Sequence, residues 1–158
     1  MSPNSIRIGL ISDTHNLLRP EAKRALAGVE RILHAGDICD SRVLDELREI
    51  APVVAVRGNN DRAGWARSIR VTETISIAGV AIHLLQDLSD LALDPQAAGI
   101  GVVVSGHSHR PLVERRNGVL FVNPGSAGPR RFTLPISIGV LEIANCIVDA
   151  KLYTLLQQ

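Results

Sequence analysis

The sequence predicts an α/β protein whose last third is mostly antiparallel β. Three observations carry this. Short apolar runs rich in β-branched residues, "IRIGLIS", "RILHAG" and "PVVAVRG", open the chain, each bounded by Gly, Pro, Asn or Asp; such runs suit strands buried on both faces. Two helical patterns separate them, and strand–helix–strand alternation implies parallel pairing with right-handed crossovers. From about residue 112 onward the pattern changes to apolar segments joined by tight turns.

The first helix is expected over residues 20–30, opened by Pro20, with Ala22, Ala25, Leu26 and Val29 on one stripe. A second is expected over 41–50, capped by Ser41, with Val43, Leu44, Leu47 and Ile50 facing inward and Pro52 ending it. "ISIAGVAIHLL" and "IGVVVSG" read as further strands. "PLVERRNGVLFVNPG" carries an Asn117-Gly118 hairpin turn. "PISIGVLEIANCIVDAKLYTL" reads as another antiparallel pair. With no repeat, linker or low-complexity tract, residues 1–158 read as a single domain.

Composition narrows the function classes. The 158 residues are 46% hydrophobic and 21% charged with a formal net charge of +1, an ordinary globular balance that recommends neither nucleic acid nor an anionic membrane as partner. Aromatics at 3% argue against base-stacking platforms and make the core aliphatic. No stretch approaches the ~20 apolar residues of a membrane span, and "MSPNSIRIGL" lacks the features of a secretory leader. Cys39 and Cys146 form no C-x-x-C pair, so a reduced, cytoplasmic protein is expected.

The polar residues carry the functional signal. "ISDTH" after the first strand supplies Asp13 and His15, and "HAGD" after the second supplies Asp37. "RGNND" after the third supplies Asn59, Asn60 and Asp61, and "SGHSH" after a later strand supplies His107 and His109. In extended backbone, residues i and i+2 point the same way, so His107 and His109 are expected to converge on one point, as two imidazoles holding a metal would. Each motif alone is ordinary turn punctuation. Their order, every one at a strand end where open α/β sheets build sites, is specific. His34 and His83 read as packed strand residues.

In this order the motifs, continuing to "NPGSAGPRR", resemble the calcineurin-like metallophosphoesterase superfamily, and within it the small prokaryotic, YfcE-like phosphodiesterase branch. The resemblance implies two mixed β-sheets packed face to face and flanked by helices, a four-layer sandwich with a dinuclear metal centre at one edge. It assigns Asp13, His15, Asp37 and His109 to one metal, with Asp37 bridging to a second that Asn59 and His107 also hold. Two divalent ions are implied, manganese first, with iron, zinc, nickel or magnesium as alternatives for a mixed oxygen and nitrogen ligand set. The implied reaction is hydrolysis of a small phosphodiester by a metal-bound hydroxide. Ser12, Ser105 and Ser126 have no evident activating partner. Arg130, in the loop 123–131, is the expected cation for substrate phosphate, suited to a forked contact.

The chain departs from the family twice. Relatives carry a His-Gly dipeptide where Gln86-Asp87 stands here, so the second metal loses an imidazole. Gln86 could offer its amide oxygen, Asp87 could swing in, or the second ion could be weakly held. Wider members have Gly-Asn-His, the histidine being a general acid; here Asn60 occupies that place and cannot donate a proton at neutral pH. Asn60 and Asp61 are expected only to orient the site. The competing readings are a phosphomonoesterase, and a protein-binding scaffold like the eukaryotic retromer subunit that shares this fold. A homo-oligomer is also compatible with the sequence.

Overall fold

The computed structural model describes residues 5–156, so residues 1–4 and 157–158 of the single-domain assignment, and the start of the stretch read for a leader, lie outside the described residues. Among the described residues, ten strands and two α-helices follow one another. β1 (Ile6–Ile11), α1 (Pro20–Ala25), β2 (Arg31–His34), α2 (Ser41–Arg48) and β3 (Val53–Ala55) come first. They are followed by β4 (Thr72–Ile77), β5 (Val80–Leu85), β6 (Val102–Val104), β7 (Leu112–Arg116), β8 (Val119–Asn123), β9 (Ile136–Ala144) and β10 (Ile147–Leu156).

The strands form two five-stranded mixed sheets, ordered β10-β9-β1-β2-β3 and β4-β5-β6-β8-β7. In the first, β1, β2 and β3 are parallel and β9 runs antiparallel to both β1 and β10. In the second, β5, β6 and β8 are parallel, with β4 and β7 added as antiparallel hairpin partners. The last third is therefore less purely antiparallel than its turns suggest, because β8 also closes against β6.

Strand alternation sorts the side chains. Ile8 and Leu10 of β1 join Leu33, Ile82, Leu84, Val102, Val104 and Val122 in the layer between the sheets. Ile11 faces the other way, with Ile32, Ile138 and Val140, against Ala22, Leu26, Val43, Leu44 and Leu47 of the helical segments. Both helices thus cover the first sheet. The outer face of the second, Val103, Val119 and Phe121, is covered by Leu88 and Leu91 from the 86–100 connection. Two local expectations shift. α1 is only Pro20–Ala25, since Gly28 turns the chain at a φ of 85°; α2 is capped by Asp40, whose carboxylate accepts from Arg42 N at 2.9 Å, leaving Ser41 as its first residue. "ISIAGVAIHLL" spans the β4–β5 hairpin, folded at Ala78-Gly79, where φ is 51° and 82°. Positive φ at both central residues matches the twist of paired strands. No helix of the described residues is long and apolar enough to cross a membrane.

Candidate metal centre

The parallel strands of both sheets end on one edge, and their carboxyl-terminal loops meet there. Across the gap, Gln86 Nε2 at the end of β5 donates to Asp13 Oδ1 at 3.1 Å, and His107 N, beyond β6, donates to Asp13 Oδ2 at 3.0 Å. Ser12 Oγ donates to the same oxygen at 2.7 Å. Asp13 therefore ties the two sheets together, and it is completely buried. Burial raises its pKa and the repulsion of Asp37 adds to this, while the donors from Ser12, Gln86 and His107 pull the other way.

Asp13, His15 and His109 each offer a ligand atom within 4.8 Å of the others. His109 Nε2 lies 3.6 Å from Asp13 Oδ1, and His15 Nε2 lies 3.8 Å from Asp13 Oδ1 and 3.7 Å from Asp37 Oδ2. The fit to a cation shows in what these groups lack. His15 Nε2 and His109 Nδ1 are buried with no hydrogen-bond partner, as is Gln86 Oε1. Buried ring nitrogens left without partners beside two carboxylates are costly unless an ion joins them. Burial, then Arg131, then His15 hold the His109 pKa down to about 4, with Asp37 opposing, so the imidazole is neutral, the form that ligates. Cys39 Sγ lies 3.7 Å from His15 Nδ1, a contact that leaves Nε2 to face the carboxylates. Burial and the nearby Asp61, Asp37 and Asp13 carboxylates push the Cys39 thiol up to about 11.

The convergence does not come from strand alternation. Asp13, His15, Asp37, Cys39, His107 and His109 all lie beyond their strands with φ between 44° and 70°. Such conformations cost of order 1–3 kcal/mol each for non-glycine residues and cluster at functional sites. Here the neighbouring loops hold them: Asp13 N donates to Gly36 O, His15 N to Asp37 O and Asn16 N to Ile38 O, at 2.9–3.0 Å. His107 keeps its backbone in the cluster, through its N–H to Asp13 Oδ2, while its side chain turns toward Asp87. Its half-exposed imidazole sits with Nε2 3.6 Å from Asp87 Oδ2.

Asp37 accepts from Asn60 N and Asn60 Nδ2, both at 3.0 Å, and one end of the Asn59 amide lies 3.2 and 3.3 Å from its two oxygens. Asp61 receives Cys39 N at 2.7 Å and Gly58 N at 2.8 Å, joining the second and third loops. In the loop after β8, Ser126 Oγ donates to Asp13 O at 3.0 Å, and Asn123 spans Gly106 O, Ser108 Oγ and Gly125 N. Gly128 closes against the β1 loop so tightly that a Cβ there would run into Asp13 O and Thr14 O. Gly128→Ala is expected to destabilise the fold by about 1–3 kcal/mol and to loosen Asp13; thermal unfolding with and without Mn²⁺ checks both effects.

Arg130 donates to Leu134 O at 3.3 Å, within its own loop, whereas the neighbouring Arg131 acts electrostatically on His109. A further cation escaped the sequence reading. Arg57 lines a cavity of about 420 Å³ beside the centre, with Asn59, Val71, Leu85, Asp87 and His107. Its signal was a charge set directly between an apolar run and the Gly58-Asn59 turn. His83 lies on the outer face of the second sheet, where its Nδ1 is 2.7 Å from Thr74 Oγ1.

The fold and this edge define a metallophosphoesterase. Residues 6–146 match the calcineurin-like phosphoesterase superfamily domain, and the chain belongs to that family. Among its relatives are a probable metallophosphoesterase of Methanocaldococcus jannaschii, 36% identical over 92% of this chain and 79% of that one, and a phosphodiesterase of the same organism, 28% identical over 87% and 93%. The Escherichia coli phosphodiesterase YfcE is 24% identical over 87% of this chain and 88% of its own, which supports the small prokaryotic branch. Among solved structures, one of a novel archaeal phosphodiesterase superposes with a TM-score of 0.76 at 25% identity, covering 94% of this chain and all of that one. Vacuolar protein sorting 29 from Cryptosporidium parvum superposes equally well, at 0.76 and 19% identity over 98% and 99%. That second likeness is one of fold.

Proposed function

We propose that the chain is a metal-dependent phosphodiesterase that hydrolyses a small phosphodiester at this edge. The observation that carries the reading is the triad of buried Asp13 and His109 with part-buried His15, its orphaned ring nitrogens and the Asp37 carboxylate beside it. Divalent ions, when bound, supply Lewis acidity toward the phosphate oxygens and an activated water. Asp13, His15, Asp37 and His109 would hold the first ion; Asp37, Asn59 and Gln86 would face the second, with His107 at its exposed side. Asp61 fixes the loop that presents Asn59 and Asn60, through the backbone donors of Gly58 and Cys39.

The remaining residues shape the substrate. The charge of Arg131 at the rim and Arg57 in the adjoining cavity attract an anionic diester. Val71 and Leu85 give the cavity an apolar wall for one ester arm. Asn60 stands where a proton donor would be needed, so leaving groups that depart as stable anions are favoured. Metal-stripped protein titrated with Mn²⁺ should hydrolyse bis-p-nitrophenyl phosphate, and Asp37→Ala should lose at least about 10²-fold in kcat/KM. Folded wild-type protein that stays inactive with Mn²⁺, Fe²⁺, Zn²⁺, Ni²⁺ and Mg²⁺ would sink the reading.

A further inference from the structure

We infer that Gln86 makes the two metal positions chemically unlike, so that the centre is a mixed-metal one. The position at Asp13, His15 and His109 is rich in nitrogen and keeps zinc or iron. The position at Asp37, Asn59 and Gln86, with the half-exposed His107 as its one nearby imidazole, is rich in oxygen and is filled by magnesium or manganese. This rests on reading the edge as a metal-dependent site, though not on turnover.

The Gln86 side chain, only 5% exposed, does two things at once. Its nitrogen end is fixed by the 3.1 Å bond to Asp13 Oδ1, since an oxygen there would face a carboxylate. The oxygen end must then point the other way, and it does so without any hydrogen-bond donor. It fills the space beside Gly36 and Gly58 that a Cβ on either glycine would take, next to Asp37 Oδ1. Gln86 Oε1 and Asp37 Oδ1 thus border the same space beside Gly58.

Asn59 adds a third. The amide end facing Asp37, 3.2 and 3.3 Å from its oxygens, donates if it is nitrogen and completes an oxygen cage if it is oxygen; a half-turn of the amide exchanges the two. His107, at the exposed side of this place, is its one neighbouring imidazole, with Nε2 3.6 Å from Asp87 Oδ2. Carboxylate, carbonyl and water oxygens suit magnesium and manganese, whereas imidazole suits zinc, iron and nickel. Calcium, which takes six to eight oxygens, is underserved by three protein groups. Magnesium keeps several of its waters, and the adjoining cavity of about 420 Å³ has room for them. Zinc binds most donor sets more tightly than manganese, so selectivity here follows from ligand type and from which ion is abundant once the nitrogen-rich position is full.

The test is direct metal binding by the stripped full-length chain, independent of catalysis. One equivalent of Zn²⁺ should bind tightly by calorimetry, and Mn²⁺ added afterwards should bind once more per chain, counted by the loss of its free paramagnetic resonance signal. Gln86→His should take a second tight zinc. Gln86→Leu should weaken the second manganese by about 10–100-fold, while Gln86→Glu, which keeps the oxygen, should retain it even if the leucine variant proves unfolded. The inference is overturned if wild type binds two zinc ions with comparable affinity, or if folded Gln86→Leu binds the second manganese as tightly as wild type. Protein that binds both ions as stated yet leaves every phosphodiester intact supports the mixed centre and removes the phosphodiesterase reading instead.

Discussion

Asp13→Asn is expected to lose about 10³-fold or more of metal-activated hydrolysis while leaving the protein as stable as before, or more so. The carboxylate is completely buried, and its burial disfavours the ionised form. Its protein neighbours soften that cost without cancelling it: Ser12 Oγ and His107 N reach Oδ2, and Gln86 Nε2 reaches Oδ1. An asparagine can keep all three contacts. Its oxygen takes the place of Oδ2, and its nitrogen faces Gln86, whose amide turns over to present the oxygen that now lacks a partner. Asparagine also tolerates the left-handed backbone that Asp13 adopts at a φ of 54° better than most residues. The substitution therefore removes a buried charge and leaves no donor orphaned, which should be neutral or stabilise by about 1–2 kcal/mol at pH 7.

What asparagine cannot replace is the anionic ligand. Losing the ion at the triad forfeits several kcal/mol of transition-state stabilisation, and each 1.36 kcal/mol is tenfold in rate. Thermal unfolding of the metal-stripped protein and kcat/KM for bis-p-nitrophenyl phosphate separate the two effects. A chain of this size shifts by about 2–4 °C per kcal/mol. Activity within tenfold of wild type, or a melting temperature several degrees lower, would show that Asp13 serves the fold and not an ion.

Much of this edge was legible in the residues, because the chemistry is written at strand ends. An apolar run stopped by Ser12-Asp13, Gly36-Asp37, Gly58-Asn59 or Gly106-His107 marks where a buried strand surfaces, and parallel strands surface together. The two-sheet architecture followed from the family resemblance more than from periodicity. Runs of three or four apolar residues such as Val102–Val104 do not say which sheet they join.

What could not be read was geometry set by contacts between loops. His107 and His109 share spacing but not a destination, since both lie in left-handed backbone, where alternation does not apply. The roles of Arg57 and Arg131 depend on which way long side chains run over the surface, which spacing does not determine. Gln86 was recognisable as a departure. Its division of labour, nitrogen to Asp13 and oxygen toward Asp37, needed the positions of Gly36 and Gly58 around it.

His34 illustrates the same limit and sets the second large expectation. From sequence it was a packed strand residue, and it is fully buried. Gly36 N donates to its Nδ1 at 3.1 Å, so the ring proton sits on Nε2, 3.0 Å from Thr14 Oγ1. Thr14 Oγ1 in turn donates to Ile38 O at 3.3 Å. One neutral imidazole thereby locks the loop carrying Asp13 and His15 to the loop carrying Asp37. Burial, with His15 adding to it, lowers its pKa from 6.5 to about 3.

A histidine whose folded pKa is lowered binds its proton more readily when unfolded. Its contribution to stability is therefore complete above pH 6.5 and is lost as pH falls toward 3, at up to about 1.4 kcal/mol per pH unit. His109, held near 4, acts in the same direction, less strongly because it sits nearer solvent. His34→Gln keeps a neutral donor and acceptor on a different frame. It should cost about 1–3 kcal/mol at pH 7 through imperfect hydrogen bonds but should flatten the acid limb. Urea midpoints at pH 7 and pH 5 for both proteins measure this. Wild type should lose more stability over that interval than the variant, the loss common to both arising from His109 and His83, whose pKa values are also lowered by burial. Equal losses would mean that the imidazole is protonated inside the fold, and that the Gly36 N–H and the Thr14 hydroxyl do not dictate its charge.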